Sequence, residues 1–221
     1  MNKKLLVSCC AFLLTASLAA AQGSPVSIQE VTDSLSGPAK NGTRTLTMSY
    51  PQIQNGENEF AGQKMSLYFS HNADKYKHQF QHGEDRNIAV TEGLSYKVVL
   101  NDGTYLSVLE KAYTYYKGAA HPMSGTIGAT FDAQTGKKLI WQDLVRPEDE
   151  SAFTLEAINA KIFASEYGRD GLLFRDFKGL KKLPRNYYLD GQQYIHFLFG
   201  QYEIAPYSSG IIDINMEKRA K

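Results

Sequence analysis

Apolar residues recur at helical spacing in one long segment, residues 57–82. Glu57 and Glu59 lie in its first turn, where the helix dipole favours acidic side chains, and Gly83 follows its last turn. A second helix is predicted from Pro147, because proline is favoured at the first position of a helix. The apolar stripe of this second helix comprises Leu155, Ile158 and Ile162.

Most other segments alternate apolar and polar positions, the two-residue period of half-buried strands. The clearest pair is a hairpin of residues 88–100 and 104–116 around an N-D-G turn, whose residues tolerate positive φ. Pro51 predicts an edge position or a strand end, because proline cannot donate a ladder hydrogen bond. Further strands are predicted on either side of residues 37–42 within residues 24–53, and over residues 123–132, 138–141, 186–189, 193–199 and 211–216.

Two runs interrupt these regular patterns. Residues 113–122 read Y-T-Y-Y-K-G-A-A-H-P, and residues 197–214 read F-L-F-G-Q-Y-E-I-A-P-Y-S-S-G-I-I-D-I. Between them lie a Thr-Gly-Lys turn at residues 135–137 and an Asp-Leu pair at residues 143–144. These features resemble a two-part extracytoplasmic module of RsiV-type anti-sigma factors, which sense lysozyme. The same module precedes the catalytic domain of the peptidoglycan deacetylase PdaC.

The resemblance spans nearly all of the chain after residue 21 and implies two subdomains. It places a PdaC-like N-terminal subdomain at residues 22–122 and an RsiV-like C-terminal subdomain at residues 123–217, with a tail at residues 218–221. No linker rich in proline or serine separates them, so we expect the halves to pack closely. The predicted fold is α+β, with two small subdomains that each contain an antiparallel sheet and one main helix packed on it.

Residues 1–21 have the three parts of a secretory signal peptide. Lys3 and Lys4 are the charged region, residues 5–18 are the apolar core, and three alanines precede Gln22. The apolar run is shorter than the roughly 20 residues that a membrane-spanning helix needs. We therefore expect an exported protein, periplasmic or secreted, that begins at Gln22 and has no transmembrane helix in its mature chain.

Both cysteines, Cys9 and Cys10, lie within this segment. Cleavage after Ala21 would leave no thiol, disulfide or cysteine metal site. The L-V-S-C sequence that ends at Cys9 resembles a lipoprotein cleavage box, but only residues 5–8 of the apolar core precede the cysteine. A signal core has about 7–15 apolar residues before cleavage, so we do not expect a lipoprotein.

Charge is balanced, with 24 basic and 23 acidic residues. Loss of Lys3 and Lys4 with the signal peptide would change the formal net charge from +1 to −1. The densest basic cluster, in residues 178–185, is typical of a solvated loop, and we expect no nucleic-acid partner. The chain has no nucleophile elbow, P-loop, dinucleotide-binding glycine pattern or calcium loop, so no cofactor is expected.

Three histidines, His71, His78 and His82, lie on the predicted first helix. His78 and His82 have the i, i+4 spacing of a metal-binding pair, with Glu84 and Asp85 just beyond, although a solvated polar face is the favoured interpretation. Polysaccharide deacetylases use such a pair after an Asp-Asp motif, and this chain lacks that motif before the pair. We therefore expect no metal site, no PdaC-type catalytic domain and no catalytic residue.

His121 and Glu203 are the remaining candidates for chemistry. His121 could act as an acid or base or contact a ligand, but a buried histidine that holds the junction of the two halves is favoured. Glu203 could be catalytic with a partner such as His121. The favoured alternative is that its carboxylate accepts backbone N–H bonds within the turn of residues 202–207.

Aromatic residues are abundant, with 14 tyrosines and 11 phenylalanines. Several alternate along strands, and those outside the core would give an amphipathic surface for glycan or protein contact. The two unusual runs contribute the candidate ligand-binding residues, which are Tyr113, Tyr115, His121, Tyr202, Glu203 and Tyr207.

We expect an exported, non-catalytic binding module of the bacterial cell envelope. The resemblance implies that it recognises a lysozyme-like protein or a cell-wall glycan. Only residues 1–4 precede the apolar core, which leaves no room for a sigma-binding segment, so the anti-sigma role is not expected. Two alternatives are a small envelope hydrolase that uses His121 and Glu203, and a structural domain without a ligand of its own.

Overall fold

The computed structural model describes residues 23–83 and 87–221. The signal peptide predicted at residues 1–21 and the acidic residues Glu84 and Asp85 lie outside the described residues. Within the two described ranges, no helix is long and apolar enough to cross a membrane. Two β-sheets, one of five strands and one of three, organise the structure.

The larger sheet has the spatial order β1-β2-β3-β4-β5. Its strands are β1 (Ser27–Ala39), β2 (Gly42–Gln54), β3 (Val90–Asn101), β4 (Tyr105–Tyr116) and β5 (Met123–Asp132). Helix α1 (Glu59–His82) crosses from β2 to β3, and such a crossover lets Thr45 to Met48 of β2 pair in parallel with Thr91 to Leu94 of β3. The other three pairs are antiparallel. The predicted α+β class is confirmed, but this sheet contains one parallel pair where we expected only antiparallel strands.

The hairpin of β3 and β4 forms as the alternating pattern predicts. The Asp102 carboxylate closes its turn by accepting hydrogen bonds from the backbone N–H groups of Thr104 and Tyr105, at 2.9 and 2.8 Å. Gly103 has a φ of 84°, a left-handed conformation that glycine adopts without a steric penalty. Pro51 lies in β2 beyond the segment that pairs with β3, so its missing N–H removes no bond to that strand.

Helix α1 is closed by local hydrogen bonds at both ends. The Asn58 side chain caps its first turn by accepting from the Ala61 N–H at 3.2 Å, and the Gly83 N–H donates to the Gln79 carbonyl at 2.7 Å. Its inner face buries Phe69 completely against the sheet, with the Phe131 ring 5.6 Å away between centroids. Each such buried side chain stabilises the fold by about 1.5–3 kcal/mol.

The smaller sheet is antiparallel, with the order β6-β7-β8. Its strands are β6 (Tyr187–Leu189), β7 (Tyr194–Phe199) and β8 (Ile212–Arg219). Helix α2 (Leu155–Ala164) contributes Ile158 and Ile162 to the core beneath this sheet, and the short helix α3 (Glu166–Arg169) follows it.

Two predicted elements in this part of the chain differ from the structure. The segment Pro147–Phe153 is a 3₁₀ helix, and α2 begins only after Thr154, whose hydroxyl accepts from the Ala157 N–H at 3.1 Å. Residues 138–141 were predicted to be a strand, but only Lys138 forms a β-bridge, and Trp141–Leu144 is a second 3₁₀ helix. Burial of Trp141 in the core favours the 3₁₀ helix and outweighs the strand-like pattern of residues 138–141.

The two sheets are joined by direct polar and backbone contacts. Asn186 bridges to β5, donating from Nδ2 to the Thr126 carbonyl at 2.7 Å and accepting from the Gly128 N–H at 2.9 Å. The larger sheet extends beyond Pro122, because β5 pairs with β4 along its whole length. The two sheets therefore divide later in the chain than the resemblance implies.

Candidate functional site

Three rings from the two unusual runs meet near the start of β5, and we call them the aromatic cluster: His121, Tyr202 and Tyr207. The His121 and Tyr207 rings stack, with centroids 3.8 Å apart and planes inclined by 25°. The Tyr202 hydroxyl lies 3.2 Å from His121 Nε2, and the two tyrosine rings are 6.0 Å apart. The fold thus brings together residues that lie about eighty positions apart in the chain.

Backbone contacts hold the cluster in place. His121 Nδ1 lies 3.0 Å from the Pro122 carbonyl oxygen, which can only accept, so Nδ1 is the donor in this contact. The Nε2 atom on the other side of the ring faces the Tyr202 hydroxyl. The Ser124 N–H donates to the Gln201 side chain at 2.8 Å, which fixes the turn of residues 202–207 to β5.

The aromatic cluster lies at the surface. Tyr202 is 48% exposed, and His121 and Tyr207 are half-buried. We expected a buried His121, but its side chain is only half-buried, and Ala119 and Ala120 before it are exposed. Tyr202 also has a positive φ of 65°, a strained conformation for a residue with a side chain, which costs on the order of 1–3 kcal/mol.

Glu203 has a local partner in its turn. Its Oε2 accepts from the Gly200 N–H at 2.7 Å, a backbone bond of the expected kind whose donor lies just before the turn of residues 202–207. The residue is exposed and lines a wide groove together with Lys181, Lys182 and Arg185. No hydrogen bond joins Glu203 to His121 within the described ranges.

Tyr113 and Tyr115 lie on the face of β4 opposite α1. Tyr113 is 40% exposed and pairs across the sheet with Ser124, whose N–H binds Gln201. It lines a shallow groove of about 550 Å³. Besides Tyr113, the hydroxyl-bearing residues of this groove are Thr32, Thr47, Ser49, Ser95, Ser124 and Thr126.

Two of the three histidines of α1, His78 and His82, form a separate pair on an exposed face. The His78 and His82 rings are 4.8 Å apart between centroids. Among residues 23–83 and 87–221, no group of three or more histidine, cysteine or acidic side chains could hold a metal ion.

The sequence did not draw attention to His196, which lies at the centre of a polar cluster on the smaller sheet. His196 Nδ1 lies 2.8 Å from Asp213 Oδ1, and its Nε2 lies 3.4 Å from Asp190 Oδ2. The Tyr188 hydroxyl donates to Asp213 Oδ2 at 2.7 Å. Burial, followed by the bond to Asp213, raises the pKa of Tyr188, so its hydroxyl stays protonated. These bonds tie the β6–β7 turn to β8.

We expect His196→Ala to lower the free energy of unfolding by about 1.5–3 kcal/mol, because it removes hydrogen bonds to two carboxylates. Urea denaturation of the variant would measure this loss. His71→Ala, at an exposed position on α1, is the matched control and should leave the urea midpoint unchanged. Equal midpoints for the two variants would show that the cluster does not stabilise the smaller sheet.

Glu110 is a buried acidic residue on β4, only 6% exposed. Burial raises the pKa of its carboxyl, although the hydrogen bond from Asn72 and the charge of Lys138 oppose that shift. Below the ordinary pKa of 4.5, folded and unfolded chains both carry the proton. As the pH rises above this value, the Glu110 carboxyl ionises first in the unfolded chain, so the folded protein loses stability. The loss is complete once the pH exceeds the pKa that this carboxyl has in the folded protein.

We therefore expect Glu110→Gln to raise the thermal midpoint at pH 7, with the gain disappearing as the pH falls below 4.5. By contrast, Asp33→Asn should lower the thermal midpoint at pH 7, and this loss should disappear as the pH falls. The bond from Lys77 lowers the pKa of Asp33, so this acid stabilises the fold at neutral pH and loses that effect in acid. Thermal melts of both variants between pH 7 and a pH below 4.5 would test these expectations. A thermal midpoint of Glu110→Gln below that of the wild type at pH 7 would contradict the first of them.

Among the solved structures that share the fold of this chain are two DUF3298 family proteins. A member of the DUF3298 family from Bacteroides fragilis has a TM-score of 0.64 at 15% identity, over 90% of this chain and 95% of its own. A DUF3298 family protein from Pseudomonas aeruginosa has a TM-score of 0.62 at 16% identity, over 88% of this chain and 92% of its own. No curated protein matches the chain.

The second part of the chain also matches a family model, described as "Protein of unknown function (DUF3298)", over residues 137–218. The matched segment contains the smaller sheet, α2 and the turn with Tyr202, Glu203 and Tyr207, whereas His121 and Tyr113 precede it. Residues 137–218 are therefore similar to the DUF3298 domain, a domain of unknown function.

Proposed function

We propose that the protein is an exported, non-catalytic binding module of the bacterial cell envelope. The resemblance to RsiV-type and PdaC modules suggests two ligands, a lysozyme-like protein and a cell-wall glycan. The observation that carries the proposal is the meeting of two sequence-distant runs in the aromatic cluster, at the edge of an open sheet face that includes Tyr113.

The chemistry of that sheet face favours a glycan. Leu46, Met48 and Leu94 point to the core with α1, so the residues that alternate with them face the other way. One row of register neighbours crosses all five strands on that face, comprising Ser34, Thr47, Gly93, Tyr113 and Ser124. Hydroxyl groups can bond the hydroxyls of a sugar, and tyrosine rings can pack on its C–H faces.

The hydrolase alternative has less support. Two proton-transfer groups must reach one substrate, but His121 contacts Pro122, Tyr202 and Tyr207, while the Glu203 carboxylate binds the Gly200 N–H. The proposal of a lysozyme-like ligand is supported only by the resemblance to the RsiV-type module.

Binding assays would test the proposal. We expect the purified protein to sediment with insoluble peptidoglycan, and Tyr202→Ala and Tyr113→Ala to weaken that binding by about tenfold or more, as for tyrosines at the centre of an interface. Phe60→Ala, which removes a ring that is 64% exposed on α1, is the matched control and should bind like wild type.

The same proteins would be tested against immobilised lysozyme. Binding to lysozyme but not to peptidoglycan, lost in Tyr202→Ala, would assign the surface to a protein ligand instead. Unchanged binding of both tyrosine variants to either ligand would show that the surface assignment is wrong. Failure of the wild-type protein to bind either ligand would favour a structural domain.

A further inference from the structure

A cavity of about 290 Å³ lies on the other face of the larger sheet, between α1 and strands β3 to β5. Its volume is close to the lower end of pockets that hold small ligands, about 300 Å³. It shares no lining residue with the aromatic cluster. The residues that shape it include Tyr68, Asn72 and Tyr76 of α1 and Glu110, Ala112 and Ile127 of the strands.

The buried Glu110 carboxylate lines this cavity with one oxygen unsatisfied. Asn72 Nδ2 donates to Oε2 at 2.9 Å, whereas Oε1 has no hydrogen-bond partner among the described residues. The Tyr68 hydroxyl is close enough to favour the charged carboxylate, but it does not reach Oε1 in hydrogen-bonding geometry. A buried acceptor without a donor is costly, so a ligand hydroxyl or N–H group in the cavity would remove that cost.

Charges around the cavity are balanced. Lys75 and Lys138 both favour the ionised form of Glu110, and Glu92 adds a second negative charge close to Tyr76. Lys138 is held near the cavity by its bond to the Tyr68 hydroxyl, at 2.9 Å. A cationic ligand would meet two lysines and an anionic ligand two acids, so this arrangement favours a neutral ligand.

The walls of the cavity are apolar and aromatic. Tyr68 and Tyr76 provide rings, and Leu94, Ala112 and Ile127 provide aliphatic surface, with Ile127 54% exposed at the opening. A sugar ring matches this combination, because its C–H faces pack on tyrosine while its polar groups donate hydrogen bonds. We propose that the cavity binds one neutral sugar ring, oriented by a hydroxyl or amide N–H that donates to Glu110 Oε1. This site opens on the sheet face opposite to the ligand surface proposed above and does not depend on it.

Three sugars of similar shape and different charge would test the proposal. N-acetylglucosamine, glucosamine and glucuronate would be titrated into the isotope-labelled protein at neutral pH. Amide signals of Tyr76, Glu110 and the Asn72 side chain, which line the cavity but not the groove with Tyr113, would be followed by NMR. We expect saturable shifts with the neutral N-acetylglucosamine and clearly weaker binding of the cationic and anionic sugars.

Variants would locate the site. Glu110→Gln should weaken N-acetylglucosamine binding by about tenfold, because a charged acceptor is replaced by a neutral one. Ala112→Leu should block binding by filling the cavity, which tests the site by its shape and independently of the charge of Glu110. Glu59→Gln, an exposed change on α1 outside the cavity, is the matched control.

Three results would overturn the proposal. One is the absence of saturable shifts at the cavity amides with all three sugars. Another is binding of glucosamine or glucuronate as tight as that of the neutral sugar. The third is wild-type affinity in folded Glu110→Gln and Ala112→Leu. Peptidoglycan sedimentation of Tyr202→Ala reports on the aromatic cluster alone, so failure of one proposal can be told from failure of the other.

Discussion

Replacing Gly128 with alanine is expected to lower the free energy of unfolding by about 3 kcal/mol, as for overpacking of a closely packed interior. A Cβ atom at this position would overlap the Tyr187 carbonyl oxygen and come within 3.1 Å of the Tyr188 Cβ. The overlapping atom belongs to the backbone of β6, so no side-chain rotation can relieve it. The two sheets would have to separate, which would strain the bonds that Asn186 makes to β5.

Gly125→Ala is the matched control, because it lies on the same strand and no atom outside its immediate neighbours is within 4 Å of its added Cβ. We expect this variant to unfold at the wild-type urea concentration or slightly above, since alanine has less backbone entropy to lose than glycine. Urea denaturation of both variants would measure the difference. Similar midpoints would mean that the sheets can move apart at little cost and that their junction is not closely packed.

Replacing Phe197 with alanine is expected to cost about 3–5 kcal/mol, the usual loss for a buried phenylalanine. Phe197 lies on β7 and is completely buried. Its ring meets Trp141 edge-on, with centroids 5.4 Å apart, and meets Phe153 in a similar way at 6.3 Å. Trp141 is also fixed by its Nε1 bond to the Pro184 carbonyl at 2.8 Å, so the neighbours cannot collapse fully into the cavity.

Phe60→Ala provides the comparison for this prediction as well. Its ring is 64% exposed, and the Lys64 ammonium group lies over it, 4.5 Å from the centroid. A surface cation–π contact of this kind contributes about 0.5–1 kcal/mol. A loss in Phe197→Ala no larger than in Phe60→Ala would show that the core beneath the smaller sheet repacks easily.

Substitutions in the proposed ligand surface and at the junction of the two sheets are expected to have different effects. Tyr202 is exposed and strained, so its replacement should affect binding more than stability. Gly128 and Phe197 are buried, so their replacement should affect stability first. A variant such as Tyr202→Ala with an unchanged urea midpoint and weakened binding would separate these two roles.

Local sequence patterns determined most of the secondary structure. The periodicity of α1, its Asn58 cap and the turn around Gly103 specify one helix and one hairpin without help from distant residues. The alternation of β7 and β8 likewise predicted a strand pair. These patterns depend on neighbours within a few positions, which is why they could be read along the chain.

Tertiary structure decided which elements meet and which polar groups are buried together. The parallel pairing of β2 with β3 depends on where α1 returns the chain, and the burial of Trp141 replaced a predicted strand with a 3₁₀ helix. The stacking of His121 on Tyr207, the carboxylates around His196 and the unsatisfied oxygen of Glu110 all involve residues on different elements. Such contacts are set by the packing of whole strands and helices, whereas a sequence pattern records only which face of its own element a residue occupies.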